Sequence, residues 1–195
     1  MKKILVSAVL FGLFGLAHAD YIPSQQQSTS SQAATYSTMG FNQLLSEAKA
    51  GQPGAAFYVA TRYQYGREVS KDLSQAFSWY KKAADQGIAA AQLNVGRMLA
   101  DGLGTSKNES QARTYLEKAA SHGDNRASFN LALMEEHKKN YMGAYQWYEL
   151  STRDGMLDNK VIDMSQTKKT ALASNLTPDQ IRQAVNRADE WIQEQ

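Results

Sequence analysis

The feature that most constrains this chain is self-similarity at a spacing of 36 residues. Ala55 to Asp72 reads AAFYVATRYQYGREVSKD, and Ala91 to Asn108 reads AQLNVGRMLADGLGTSKN. A third copy opens at Ala127 with ASFNLALMEE. The register holds at Ala60 with Gly96, Gly66 with Gly102, Ala76 with Ala112, Lys82-Ala83-Ala84 with Lys118-Ala119-Ala120, and Gly87 with Gly123. A period of this length is one supersecondary unit that cannot bury its apolar face alone, so successive units stack. The expected fold is all-α: a right-handed α-solenoid of stacked antiparallel helix pairs. Such stacks present an extended binding surface.

Each unit reads as two helices. In the second, a helix over roughly Ala89 to Asp101 is ended by Gly102 and Gly104, because glycine tolerates positive φ at a helix C-terminus. Another follows over roughly Glu109 to Ser121, with Asn108 as N-cap and Gln111 placed for a capping box. Asp72 and Gln75 repeat this in the first unit. In the third, Asn140 is followed by Gly143 where Gln is expected, so half the box is lost. Small residues recur at one place in the first helix (Ala60, Gly96, Ala132) and one in the second (Ala76, Ala112, Ala144), letting backbones approach. Trp79, Tyr115 and Trp147 read as rings filling the space between helices. The third unit is four residues short: its glycine loop is replaced by Glu135-Glu136-His137-Lys138-Lys139, so it exposes a different surface.

The domain boundaries follow. Residues 1–19 have the three parts of a secretory signal peptide: Lys2 and Lys3, the apolar run Ile4 to Leu16, and Ala17-His18-Ala19, predicting cleavage after Ala19. The apolar run has 13 residues, short of the ~20 a membrane span needs. Residues 20–38, rich in Gln, Ser and Thr, read as a disordered linker. The solenoid takes 39–195: a half-repeat at 41–51, repeats at 55–90, 91–126 and 127–155, and capping helices over 157–195. Thr177-Pro178-Asp179-Gln180 is a strong helix start. The helix that follows carries an apolar stripe of Ile181, Ala184, Val185, Ala188, Trp191 and Ile192, suited to closing the last repeat.

Charge and cysteine content narrow the function. The chain has 21 Lys and Arg against 19 Asp and Glu. Removing Lys2 and Lys3 leaves a mature chain of zero net charge, without a global pull on nucleic acid or anionic membrane. There is no cysteine. That excludes a disulfide framework, lipoprotein attachment and the usual structural zinc ligands.

Ala91, Val95-Gly96, Leu99, Gly102-Leu103-Gly104, Asn108, Ala112, Tyr115, Lys118-Ala119-Ala120 and Gly123 closely resemble the Sel-1-like repeat, a branch of the tetratricopeptide-like helical repeats. Ala55 to Gly87 matches too, with Ala60 in place of the pair's Gly and Glu68 in place of the second loop Gly. The resemblance implies an adaptor fold. Secreted bacterial members resemble scaffolds of envelope complexes and accessory factors of secretion machines. Others resemble periplasmic immunity proteins that neutralise secreted toxins. Members with reported penicillin binding are cysteine-rich, which this chain is not.

The function expected is a non-catalytic, periplasmic protein–protein interaction scaffold for an envelope complex, possessing no cofactor and no metal. The alternatives are a periplasmic immunity protein and a cell-wall or β-lactam hydrolase. No G-x-S-x-G, S-x-x-K, H-E-x-x-H or phosphate-loop pattern supports the last. The partner expected is another periplasmic or envelope protein, not nucleic acid. Solenoids bind through the concave face of their first helices. Positions spaced i, i+4, i+7 share one helix face, which nominates Tyr58, Arg62 and Tyr65, then Asn94, Met98 and Asp101, then Asn130, Met134 and His137. These vary between units, as a surface that reads a partner should, with Met98 and Met134 alternatively read as core.

Overall fold

A computed structural model describes residues 32–153 and 158–195. The signal-peptide pattern at 1–19 and the linker as far as residue 31 lie outside the described residues. Ten helices are described: α1 (32–38), α2 (Phe41–Lys49), α3 (Pro53–Tyr65), α4 (Leu73–Ala84), α5 (Ala89–Asp101), α6 (Glu109–Ser121), α7 (Asn125–His137), α8 (Tyr141–Ser151), α9 (Asn159–Ala173) and α10 (Pro178–Gln193). There is no strand among the described residues. The pairs α3/α4, α5/α6 and α7/α8 pack within themselves and then against the next pair, giving the solenoid.

Local sequence explains the elements. Gly66 and Gly102 end α3 and α5 in the left-handed conformation, at φ 66° and 71°. Asp72 accepts a hydrogen bond from the Gln75 N–H at 2.9 Å, and Asn108 from the Gln111 N–H at 3.0 Å. The full reciprocal box forms at Thr177 and Gln180, which opens α10. At α8, Asn140 turns its amide to Glu135 at 2.6 Å while accepting from the Gly143 N–H at 3.2 Å. A Cβ at Gly143 would stand 2.5 Å from the Asn140 Nδ2, so glycine makes room for that double role.

The small-residue positions are buried contacts. Ala60 and Ala132 are fully buried. A Cβ at Gly96 would lie 2.6 Å from Leu116 Cγ and 3.1 Å from the Ala112 carbonyl oxygen. The core is continuous along the stack: one cluster joins α2 through α6, another joins α5 through α10, and Met134 touches both. Leu44, Val59, Leu116, Leu131 and Leu150 are completely buried, each contributing about 1.5–3 kcal/mol. At the far end Trp147 meets Trp191 of α10 edge to face, with ring centres 4.9 Å apart.

Two features depart from expectation. Residues 32–38, assigned to the linker, are helical, and Tyr36 packs on the core beside Tyr58, with ring centres 6.4 Å apart. A hydrophobic ring in a polar segment had somewhere to go. The interface between the second and third units is also partly ionic. Glu135 of α7, largely buried, occupies the place held by Leu99 in the unit before, and pairs with Arg113 of α6.

Candidate functional site

The first helices, α3, α5 and α7, together with α4 and α9, line a cavity of about 370 Å³. Aromatic side chains supply much of its wall: Phe57, Tyr58 and Tyr65 from α3, Tyr80 from α4 and Phe129 from α7. Tyr80 is almost wholly buried and donates a hydrogen bond to Gln64 Oε1 at 2.6 Å. Burial drives its hydroxyl up to about 12, with the Thr61 hydrogen bond opposing the shift, so it stays neutral at any physiological pH.

Two guanidinium groups line the same cavity. Arg126 is held by Asp124, Nε to Oδ1 at 2.9 Å and Nη2 to Oδ2 at 2.7 Å. That bidentate pair holds Arg126 above its ordinary value despite partial burial. Asp124 is fully buried and also caps α7. Arg97 is exposed and takes part in no ion pair among the described residues. Asn94 and Asn130, one repeat apart, are posed alike: each donates its amide to the carbonyl four residues back, Ala90 at 3.0 Å and Arg126 at 2.6 Å.

Of the nine nominated residues, Tyr58, Tyr65, Asn94 and Asn130 line this cavity. Asp101, Met134 and His137 line a separate groove, which Asn130 also reaches. Arg62 and Met98 line neither. Met98 is only 4% exposed and belongs to the core, and Met134 is half-buried between both core clusters. Arg62 is turned to the N-terminal segment: it donates to the Ser37 and Met39 carbonyls at 3.1 and 3.3 Å and pairs with Glu68 at 3.4 Å. Position 62/98/134 therefore faces the preceding unit. The cavity is lined also by the row one residue before Tyr58, Asn94 and Asn130, namely Phe57, Leu93 and Phe129, which are themselves 36 apart. Sequence reasoning missed these and Arg97, although the identical spacing of 57, 93 and 129 was there to find.

The arrangement can bind: it offers ring faces, fixed amides and guanidinium groups. No group of three or more His, Asp or Glu is placed to hold a metal ion among the described residues. No described helix is long and apolar enough to cross a membrane.

Comparison with known proteins supplies the family. The Sel1 repeat matches residues 53–88, 89–124 and 126–156, more than half of the chain. The chain belongs to the Sel1 repeat family. The matched segments start within two residues of the repeats read from the sequence. A protective antigen present in uropathogenic Escherichia coli strains, displaying an SLR fold, superposes with a TM-score of 0.69 at 25% identity, over 87% of this chain and 39% of that one. A Sel1 repeat protein from Oxalobacter formigenes superposes with a TM-score of 0.59 at 23% identity, over 78% of this chain and 74% of that one. Among curated proteins, the secretory immunoglobulin A-binding protein EsiB of Escherichia coli O6:H1 (strain CFT073) is 30% identical over 83 residues. That match takes in 43% of this chain and 14% of EsiB, so the chain spans a small part of that relative. Sel1 repeats mediate protein–protein interaction.

Proposed function

We infer that this Sel1 repeat protein is a non-catalytic interaction scaffold of the bacterial envelope, exported to the periplasm, that holds a segment of another envelope protein on its concave face. The observation that carries the reading is the concave cavity, where Tyr58, Tyr65, Phe129 and two arginines converge from successive units. Tyr and Arg are the side chains favoured in interface hot spots. A cavity walled by rings and lined by Arg97, which takes part in no ion pair among the described residues, suits a segment with apolar side chains and a carboxylate. The signal-peptide pattern before Asp20 supports export. The repeat arrangement supports a scaffold, because the cavity is assembled from five helices drawn from successive units.

The test is crosslinking in living cells with a photoreactive residue at Tyr65, which is 61% exposed, followed by identification of what is captured. The expected result is one or more envelope-machine components, lost when Arg97→Glu is added. Capture of a single secreted toxin moves the reading to an immunity role. Capture that Arg97→Glu leaves untouched overturns the concave-face assignment. The Arg62→Ala variant is a poor probe, because it loosens the N-terminal segment.

A further inference from the structure

α9 stands next in line after the first helices α3, α5 and α7, but it lacks the partner that such a place implies. Each earlier first helix packs on the second helix of its own unit. α9 and α10 do not pack on one another in that way; both lie against α8 instead. The consequence shows in what α9 buries. α5 buries Leu93, Val95, Met98 and Leu99, and α7 buries Phe129, Leu131 and Ala132. α9 is longer than either, yet it buries Ser165 and Leu172 and leaves Met164 exposed.

Polar contacts hold α9 in place. Lys168 pairs with Glu136 of α7 at 3.0 Å, and Lys169, largely buried, pairs with Glu149 of α8. The Ser165 hydroxyl is hydrogen-bonded to that of Ser151 at 2.6 Å, and both residues are buried. On the side of the stack, each of these groups keeps a second partner. Glu136 accepts from the Tyr148 hydroxyl, Glu149 pairs with Arg153, and Ser151 reaches the Tyr148 carbonyl at 2.8 Å. The departure of α9 therefore strands no buried carboxylate, the event that makes breaking a buried pair costly.

The attachment is uneven along the helix. At the N-terminal end, Asn125 exchanges two hydrogen bonds with the backbone of Asp158, both at 3.4 Å, beyond the usual range of about 2.7–3.2 Å. Val161, close to that end, lines the aromatic cavity. The other end carries Leu172 and leads through residues 174–176 into α10. α10 is anchored on its own account: it buries Ala184 and Ala188 and sets Trp191 against Trp147. An element with few buried apolar contacts opens at low free energy while its surroundings stay folded.

We propose that α9 is a gate on the aromatic cavity: it swings off α8 about residues 174–176, with α10 and the repeats in place, and widens the cavity at Val161. Its use as an entrance for a partner segment rests on the concave-face reading; the opening itself does not. Ordinary fraying from the C-terminal end would open α10 first, so the order of opening separates the two.

The test is amide exchange read by mass spectrometry on the full chain at low urea. The expected result is exchange in α9 about tenfold or more faster than in α8 and in α10, with little dependence on urea. Lys168→Gln with Lys169→Gln removes both ion pairs and should speed α9 by about tenfold again, with α10 unchanged. A Ser151→Cys, Ser165→Cys pair supplies the only thiols of a chain without cysteine, at a separation a disulfide can close. Oxidised, it should slow α9 to the rate of α8 and cut capture by a photoreactive residue at Tyr65; reduction should restore both. The gate is overturned if α10 exchanges before α9 or together with it, if the lysine variant leaves α9 unchanged, or if oxidation slows α9 and capture persists. Absence of capture in both redox states would count against the concave-face reading, and the exchange order would still decide whether α9 opens.

Discussion

Glu68 and Gly104 show how one residue adapts a repeat to its neighbour. Both sit at the same loop position with positive φ, where a side chain costs about 1–2 kcal/mol. Gly104 has no alternative, because a Cβ would collide with the backbone of Leu73 and Ser74. Gly104→Ala is expected to lower stability by about 2–4 kcal/mol, combining overpacking with a left-handed alanine, as measured by urea unfolding. Glu68 accepts the strain because its carboxylate bonds the Phe41 N–H and pairs with Arg62. Glu68→Ala keeps the strain and loses both contacts, so it should cost about 1–2 kcal/mol. Glu68→Gly relieves the strain and should cost clearly less. If the two variants unfold at the same urea concentration, the carboxylate and the backbone do not trade off as described.

At the scale of the helix, most boundaries were legible because they depend on local chemistry. Asp72, Asn108 and Thr177 cap as their side chains dictate, and Pro178 starts α10. Thr177→Ala removes the arm in which the Thr177 hydroxyl accepts from the Gln180 N–H, leaving the backbone arm to Gln180 Oε1, and should cost about 1 kcal/mol, with amide exchange in the first turn of α10 rising above its level in the parent chain. The helix face was less legible. Neighbouring positions differ by about 100° around the axis, and in α3 both Phe57-Thr61-Gln64 and Tyr58-Arg62-Tyr65 mix apolar and polar residues. Choosing the second stripe brought in Arg62 and Met98, which face the preceding unit. It missed Arg97 and the Phe57, Leu93, Phe129 row.

Across the whole molecule, carboxylates held below their ordinary values shape the response to acid: Asp85 and Glu109 in the middle units, Glu136 and Glu149 near the C-terminal end. Burial alone would raise Glu149, but hydrogen bonds and ion pairing from Lys169 and Arg153 outweigh it and hold the group below its ordinary value. Glu136 is lowered in the same way, its burial outweighed by the Tyr148 hydroxyl and Lys168. A carboxylate depressed in the folded state adds stability above its unfolded value, and loses it as pH falls through the folded one. Tm should therefore drop from about pH 5 toward about pH 3. Glu149→Gln should be less stable at neutral pH and show a shallower acid slope. An unchanged slope would show that Glu149 does not carry the acid response.

The sequence by itself determined the repeat period, the helices of the repeats with their caps at Asp72, Asn108 and Thr177, the family and the deletion in the third unit, because each is written in local spacing and turn chemistry. Only the tertiary structure decided which helix face lines the cavity, that Arg62 and Glu68 tie down the N-terminal segment, and that α9 packs apart from α10. Those depend on what the next unit presses against each side chain. That contact is made between units, and no single unit contains it.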